Sequence, residues 1–215
     1  MITGMFSQLE IKTRVAGLAQ EISKDYIVRP GKGRSARPVA DDPVILLIVL
    51  KGAAMFGVDL ARALAALRVS LQVEYCSAAS YGNERTSSGS VKCLMPEIDF
   101  RGRRVLIVED IIDTGLTLDH LTKHLVGIGA SVRSVAFLDK HSERKIAFEA
   151  DYTGIRIGNT FVVGYGMDDK GLYRELPFIG RIEEDVPTGT NDYYPKQFED
   201  SLRRSEGLQH NRRGA

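Results

Sequence analysis

The sequence predicts an α/β protein: a twisted, mainly parallel sheet flanked by helices, with a small hood lobe over the sheet's carboxyl edge. Three observations predict it. The runs Val44 to Leu50 and Val105 to Val108 are continuous β-forming stretches, as expected of strands buried on both faces. Helical patterns over Met55 to Leu67 and Leu116 to Val126 alternate with these and with strands at Val69 to Tyr75 and Val132 to Leu138, which implies right-handed crossovers in a parallel sheet. Beyond Arg144 the apolar runs shorten to Ile155–Ile157, Phe161–Val163 and Phe178–Ile182, too short for another strand–helix unit and suited to a small lobe.

The remaining elements follow in chain order. Ser7-Gln8-Leu9-Glu10 has the form of a capping box. Ile11, Val15, Leu18 and Ile22 follow at helical spacing, so a first amphipathic helix runs to about Tyr26. Residues 29–38 are basic and punctuated by Gly and Pro, which reads as an exposed loop; a nucleic-acid arm needs more sustained charge. Ser77 to Ser90 is a long polar stretch without periodicity, the form lids take in compact domains. Val91 to Met95 returns from it as a strand, and Arg101-Gly102 turns the chain into the next one. From Glu183 the chain is polar, with Arg203, Arg204, Arg212 and Arg213, and reads as a peripheral helix with a frayed end. The expected organisation is one domain: a core over about 44–140, a hood from about 145–183 with N-terminal residues, and a peripheral tail over 184–215.

Bulk composition excludes several classes. A formal net charge of +1 gives no field that favours nucleic acid or a membrane surface. No stretch approaches the roughly 20 apolar residues of a membrane span. The opening M-I-T-G-M-F-S lacks a positive n-region and a long h-region, so a cytoplasmic location is expected. Cys76 and Cys93 lie in apolar or β-type stretches and read as buried free thiols rather than a disulfide.

The most informative run is Val105 to Thr117, V-L-I-V-E-D-I-I-D-T-G-L-T. A buried strand ends in the paired carboxylates Glu109 and Asp110. Asp113-Thr114-Gly115-Leu116-Thr117 then turns into a helix. Ligands bind open α/β sheets at this carboxyl edge, and a helix N-terminus with backbone N–H groups and two hydroxyls cradles an anion. Adjacent carboxylates cannot hold a phosphate but can accept from ribose hydroxyls or bind Mg²⁺. The combination suits a sugar phosphate. His120 and His124 stand at i, i+4 on the following helix, but no third ligand or zinc-protease glutamate accompanies them. No P-loop and no nucleophile-elbow motif occurs.

The whole run resembles the 5-phosphoribosyl 1-pyrophosphate (PRPP) motif of the type I phosphoribosyltransferases: apolar residues, two acidic ones, two apolar ones, then D-T/S-G-x-T. Four other places narrow the resemblance to the 6-oxopurine (hypoxanthine-guanine) phosphoribosyltransferases, and together they cover about residues 44–182. Leu50-Lys51-Gly52 ends a strand where that family uses an unusual, often cis, peptide to bind pyrophosphate. Ser80-Tyr81-Gly82 matches its catalytic lid. Leu138-Asp139-Lys140 ends the strand after the motif helix, where a lysine meets the purine's 6-oxygen. Phe161 to Asp168, followed by Tyr173-Arg174-Glu175-Leu176, is similar to its base-binding hood.

The resemblance implies transfer of the phosphoribosyl group from PRPP to hypoxanthine or guanine, giving IMP or GMP and pyrophosphate in purine salvage, with Mg²⁺ as cofactor. It assigns the 5-phosphate to Asp113–Thr117 and the ribose hydroxyls to Glu109 and Asp110. The pyrophosphate goes to Lys51, Gly52 and Arg174. Asp113 is the implied catalytic base, acting by proton abstraction or by orienting the purine. Phe161 would stack on the base, the Val162 backbone would read its edge, and Lys140 would donate to its 6-oxygen. Asp168, with Glu109 and Asp110, would hold the metal. Lysine only donates, so it favours a 6-oxo over a 6-amino group. The family also implies a homodimer or homotetramer.

The sequence departs from the family at Asp169-Lys170-Gly171, which leaves the order among hypoxanthine, guanine and xanthine open, and at Ala79 before the Ser80-Tyr81 pair. A PRPP-sensing regulator of the same fold calls for a helix-turn-helix or a basic face, and neither stands out. An adenine or pyrimidine transferase is the other alternative, and Lys140 argues against adenine.

Overall fold

The computed structural model describes residues 2–26, 42–80 and 91–182. The basic loop over 29–38, Tyr81 and the tail beyond Ile182 lie outside them.

The described chain runs β1 (Ile2–Phe6), α1 (Gln8–Tyr26), β2 (Val44–Leu50), α2 (Ala54–Ala66), β3 (Leu71–Ser80), β4 (Val91–Leu94), β5 (Arg104–Ile112), α3 (Leu116–Gly127), β6 (Ser131–Asp139), a single 3-10 turn (His141–Glu143), β7 (Tyr152–Arg156), β8 (Val162–Val163) and β9 (Ile179–Ile182). The main sheet has the order β4-β3-β2-β5-β6-β7. Only the β3–β4 pair in it is antiparallel. Strand alternation sorts the core. Leu46, Ile48, Leu106 and Val108 pack against α1 and α2, while Ile45, Leu47, Val105 and Ile107 pack with Leu118, Leu121 and Leu125 of α3 on the opposite face. Both faces of β2 and β5 are therefore buried, which explains their unbroken apolar runs.

The order also creates the site. After β2 the chain crosses to β3 on one side, whereas β5 and β6 lie on the other. The strand order reverses between β2 and β5, and a crevice opens there beyond the carboxyl ends. Lys51-Gly52 and Glu109-Asp110 sit at that reversal.

The capping box forms: the Ser7 N–H donates to Glu10 Oε2 at 2.8 Å, and the Glu10 N–H returns to Ser7 Oγ at 3.3 Å. Other elements differ from the sequence reading. Residues 77–80, placed in the polar loop, extend β3 because Ser77, Ala78, Ala79 and Ser80 pair with Leu94, Cys93, Lys92 and Val91. The expected strand at 155–157 is instead Tyr152–Arg156, and it belongs to the main sheet, in parallel register with β6. It covers the edge that β6 would otherwise expose. Residues 2–6 form a strand that the sequence reading did not identify. β1 pairs antiparallel with β9, which also pairs with β8, giving a three-stranded hood sheet.

Candidate active site

The crevice is an open cleft of about 290 Å³ lined by residues from β2, β5, the loop into α3, and the hood. Of the expected site residues, Gly52, Glu109, Asp110, Asp113, Thr114, Gly115, Thr117, Asp168 and Arg174 line it together. Leu116 opens α3 beside them, its N–H donating to Thr114 Oγ1 at 3.4 Å. Val49, Leu50, Ile111, Ile112 and Leu118 complete the lining. Apart from Leu50, which opens the Leu50-Lys51-Gly52 motif, sequence reasoning gave these residues no site role, because they look like any other core residues.

The floor is the carboxylate pair. Glu109 is buried, and that burial, reinforced by the charge of Asp110 beside it, holds its carboxyl well above the usual range. Asp110 is also raised, chiefly by burial, while a hydrogen bond from Glu109 pulls it the other way. The two carboxyls thus favour sharing a proton until a cation or hydroxyl donors arrive. Gly52 lies directly against this floor: a Cβ there would overlap the Asp110 carboxylate. The Leu50–Lys51 peptide beside it is cis, and the Lys51 side chain is exposed.

The 113–117 loop is shaped by Gly115, which takes φ +85° at the N-cap of α3. That left-handed conformation suits glycine. Asp113 is exposed at the loop's start. Behind the loop, Arg144 donates to the Asp113 carbonyl at 2.9 Å and pairs with Asp139 at the end of β6. Nothing local marks Arg144, which stands in an ordinary charged turn, S-E-R-K.

Across the cleft the hood supplies Asp168 and Arg174. They pair at 2.5 Å, and the second carboxylate oxygen of Asp168 accepts from the Gly171 N–H at 2.7 Å. Arg174 also donates to the Gly166 carbonyl at 2.6 Å. A Cβ on Gly166 would overlap the Gly52 carbonyl, so the hood turn lies directly on the loop after β2. Tyr165 fixes that turn from behind: it is buried, its hydroxyl donates to Asp59 of α2 at 3.0 Å, and its ring tilts against Phe137.

The residues expected to read the base stand apart from the cleft lining. Lys140 is buried one residue past β6, and its N–H donates to the carbonyl of Ile112, itself a lining residue, at 2.8 Å. Val162 is buried in β8, whereas Phe161 is 54% exposed. Ser80 ends β3. Glu109, Asp110 and Asp168 share the cleft without forming a preformed cage: among the described residues, no three His, Cys, Asp or Glu side chains gather to hold a metal. A buried carboxylate and its half-buried neighbour still fit a hard cation, provided substrate oxygens complete its shell.

Comparison with known proteins agrees with this geometry. The family model described as "Phosphoribosyl transferase domain" matches residues 6–170. The hypoxanthine-guanine phosphoribosyltransferase of Crithidia fasciculata is 38% identical over 192 residues, 88% of this chain and 86% of that protein. The enzyme of the same name from Mycobacterium tuberculosis is 38% identical over 179 residues, 82% of this chain and 84% of its own. Among solved structures, the hypoxanthine phosphoribosyltransferase of Trypanosoma cruzi in complex with the product IMP superposes with a TM-score of 0.74 at 40% identity, covering 86% of this chain and 95% of that one. A carboxylate floor, the turn into α3 and a hood arginine around one cleft, in a chain this close to those enzymes, make it a member of the hypoxanthine-guanine phosphoribosyltransferase family, built on the type I phosphoribosyltransferase fold.

Proposed function

We propose that this protein transfers the 5-phosphoribosyl group of PRPP to hypoxanthine or guanine, and to xanthine as a third candidate, releasing pyrophosphate and forming the nucleoside monophosphate. The observation that carries the reading is the single cleft in which the 113–117 loop, the Glu109–Asp110 pair and Arg174 face one another. A phosphate site and a cationic site separated by hydroxyl acceptors match the two ends and the middle of PRPP.

The 5-phosphate binds at the N-terminus of α3, on backbone N–H groups and the hydroxyls of Thr114 and Thr117. Glu109 and Asp110 accept from the ribose hydroxyls. Lys51, the Gly52 backbone and Arg174 face the pyrophosphate and stabilise the charge it gains as its bond to the anomeric carbon breaks. The purine nitrogen attacks the opposite face, and Asp113 takes or orients the purine's proton. Lys140 donates to the 6-oxygen, Phe161 stacks on the ring and Val162 offers its backbone to the purine edge. Glu109, Asp110 and Asp168 would hold Mg²⁺ together with substrate oxygens, and the ion would supply charge neutralisation for the departing pyrophosphate. Ser80 and Tyr81 belong to a lid that keeps water from the reacting ribose.

The test is an assay of the purified protein with PRPP and Mg²⁺ against hypoxanthine, guanine, xanthine and adenine. Hypoxanthine or guanine should be converted and adenine should be poor. An adenine rate equal to that of hypoxanthine would overturn the base assignment.

The protein acts as a homodimer or homotetramer in the cytoplasm, without nucleic-acid or membrane partners. Val73 and Tyr75 are exposed apolar residues on the β3 side of the main sheet, a surface suited to a second copy, and Cys76 and Cys93 are free thiols. No described helix is long and apolar enough to cross a membrane. Light scattering after gel filtration measures the assembly.

A further inference from the structure

Outside the residues that would touch substrate, one buried side chain is placed to control the phosphate loop. Arg144 follows the short turn after β6, and its side chain is only 9% exposed. One arm of its guanidinium pairs with Asp139, whose side chain is 6% exposed; the other donates to the Asp113 carbonyl at 2.9 Å. The next residue continues the pattern, the Lys145 N–H donating to the Thr114 carbonyl at 3.1 Å.

In a trans peptide the carbonyl and the following N–H point in opposite directions. Holding the Asp113 and Thr114 carbonyls on the 144–145 segment therefore turns the N–H groups of Thr114 and Gly115 the other way, toward the cleft that both residues line. Successive N–H groups on one side of a turn form an anion nest. Gly115 completes it with φ +85°, and a Cβ there would meet Arg144 Cδ at 3.1 Å, so the arginine stem also packs under the turn. Asp139 precedes Lys140, so the same clamp ties the phosphate loop to the strand end that carries the base reader.

We infer that Arg144 is a positioning residue for PRPP: it fixes the peptide orientation of the 113–117 loop and so sets affinity for the 5-phosphate. This rests on the reading of that loop as the 5-phosphate subsite. Arginine suits the task because its planar fork bridges a carboxylate and a carbonyl at once, while a lysine presents a point charge. Arg156, 3.7 Å from the other oxygen of Asp139, shares that carboxylate from the exposed side.

The experiment compares wild type, Arg144→Ala, Arg144→Lys and Thr117→Val. Kd is measured calorimetrically for ribose 5-phosphate and for inorganic pyrophosphate with Mg²⁺, alongside KM for PRPP, kcat and the melting temperature. Arg144→Ala should weaken ribose 5-phosphate and raise KM for PRPP about 10- to 100-fold, with pyrophosphate affinity and kcat at saturating PRPP within about threefold. Arg144→Lys keeps a cation for Asp139, and so protects the fold should the alanine variant fail to assemble; it should show the same selective loss at smaller size. A purely structural role would lower the melting temperature and weaken both ligands alike, and that outcome overturns the inference. So does ribose 5-phosphate affinity within about twofold of wild type in both arginine variants, provided Thr117→Val loses it. If Thr117→Val also binds ribose 5-phosphate normally, the subsite reading itself fails.

Discussion

Gly52→Ala perturbs the closest approach in the cleft. An added Cβ would lie 2.5 Å from Asp110 Cγ and 2.9 Å from Oδ1, and would overlap Oδ2 outright, against ordinary contact at 3.4–4 Å. Relief requires the Asp110 carboxylate or the Lys51–Gly52 backbone to retreat. The backbone cannot easily do so, because Gly166 of the hood already lies on the Gly52 carbonyl. The retreat therefore falls mainly on Asp110, by about an ångström, and a misplacement of that size costs on the order of 10²-fold in rate. Overpacking also destabilises the fold by about 1–3 kcal/mol. The assay is steady-state kcat/KM for PRPP at saturating hypoxanthine, with a melting curve for the same sample. Gly57→Ala is the control: its Cβ would crowd the Ile48 side chain in the α2 packing layer, so it should cost stability and leave kcat/KM for PRPP intact. If Gly52→Ala retains kcat/KM within about threefold, the close approach to Asp110 is not what the reaction needs.

Asp113→Asn should lower kcat by roughly 10²–10⁴ if the carboxylate is a true general base, with PRPP affinity far less changed; a kcat within about threefold in single-turnover kinetics leaves only an orienting role. Lys140→Ala should raise KM for hypoxanthine and guanine roughly 5- to 150-fold with KM for PRPP unchanged, and Lys140→Gln should narrow the gap between 6-oxo and 6-amino purines; unchanged base KM in both variants would reduce Lys140 to a structural lysine. Glu109 holds its proton above its ordinary value of 4.5, so between that pH and its folded value the folded chain binds a proton that the unfolded chain releases, and stability falls as pH rises through the window. Glu109→Gln should flatten that slope in ligand-free thermal melts and raise the melting temperature on the alkaline side; parallel wild-type and variant curves would remove Glu109 as the source.

The parts of the fold written in local pattern were legible in the sequence. β2, β5, α1 and α3 announce themselves because burial on both faces, or on one helical stripe, leaves its mark within a single element. β1 and β7 do not. Each is five residues long, and neither alternates buried with exposed positions. β1 exists because Ile2 to Phe6 finds β9 across nearly the whole chain, with Gly4 opposite Gly180. β7 exists because β6 presents an open edge. A partner that lies outside the segment leaves β1 unread and β7 legible only as a short apolar run at 155–157.

The candidate site divides along the same line. Glu109, Asp110 and the 113–117 loop form one contiguous string, so their chemistry could be read together. The contacts that hold them in shape could not. Gly52 is required by Asp110, Gly166 by Gly52, and Arg144 by the carbonyl of Asp113, each across a wide gap in sequence. In isolation each looks like a turn glycine or a solvated arginine. Residues that touch substrate can thus cluster in sequence because one strand end and one helix start suffice to present them. The residues that fix their geometry come from whichever element the topology brings behind them. Here that element is the segment after β6, where Arg144 and Lys145 hold the Asp113 and Thr114 carbonyls from outside the cleft lining.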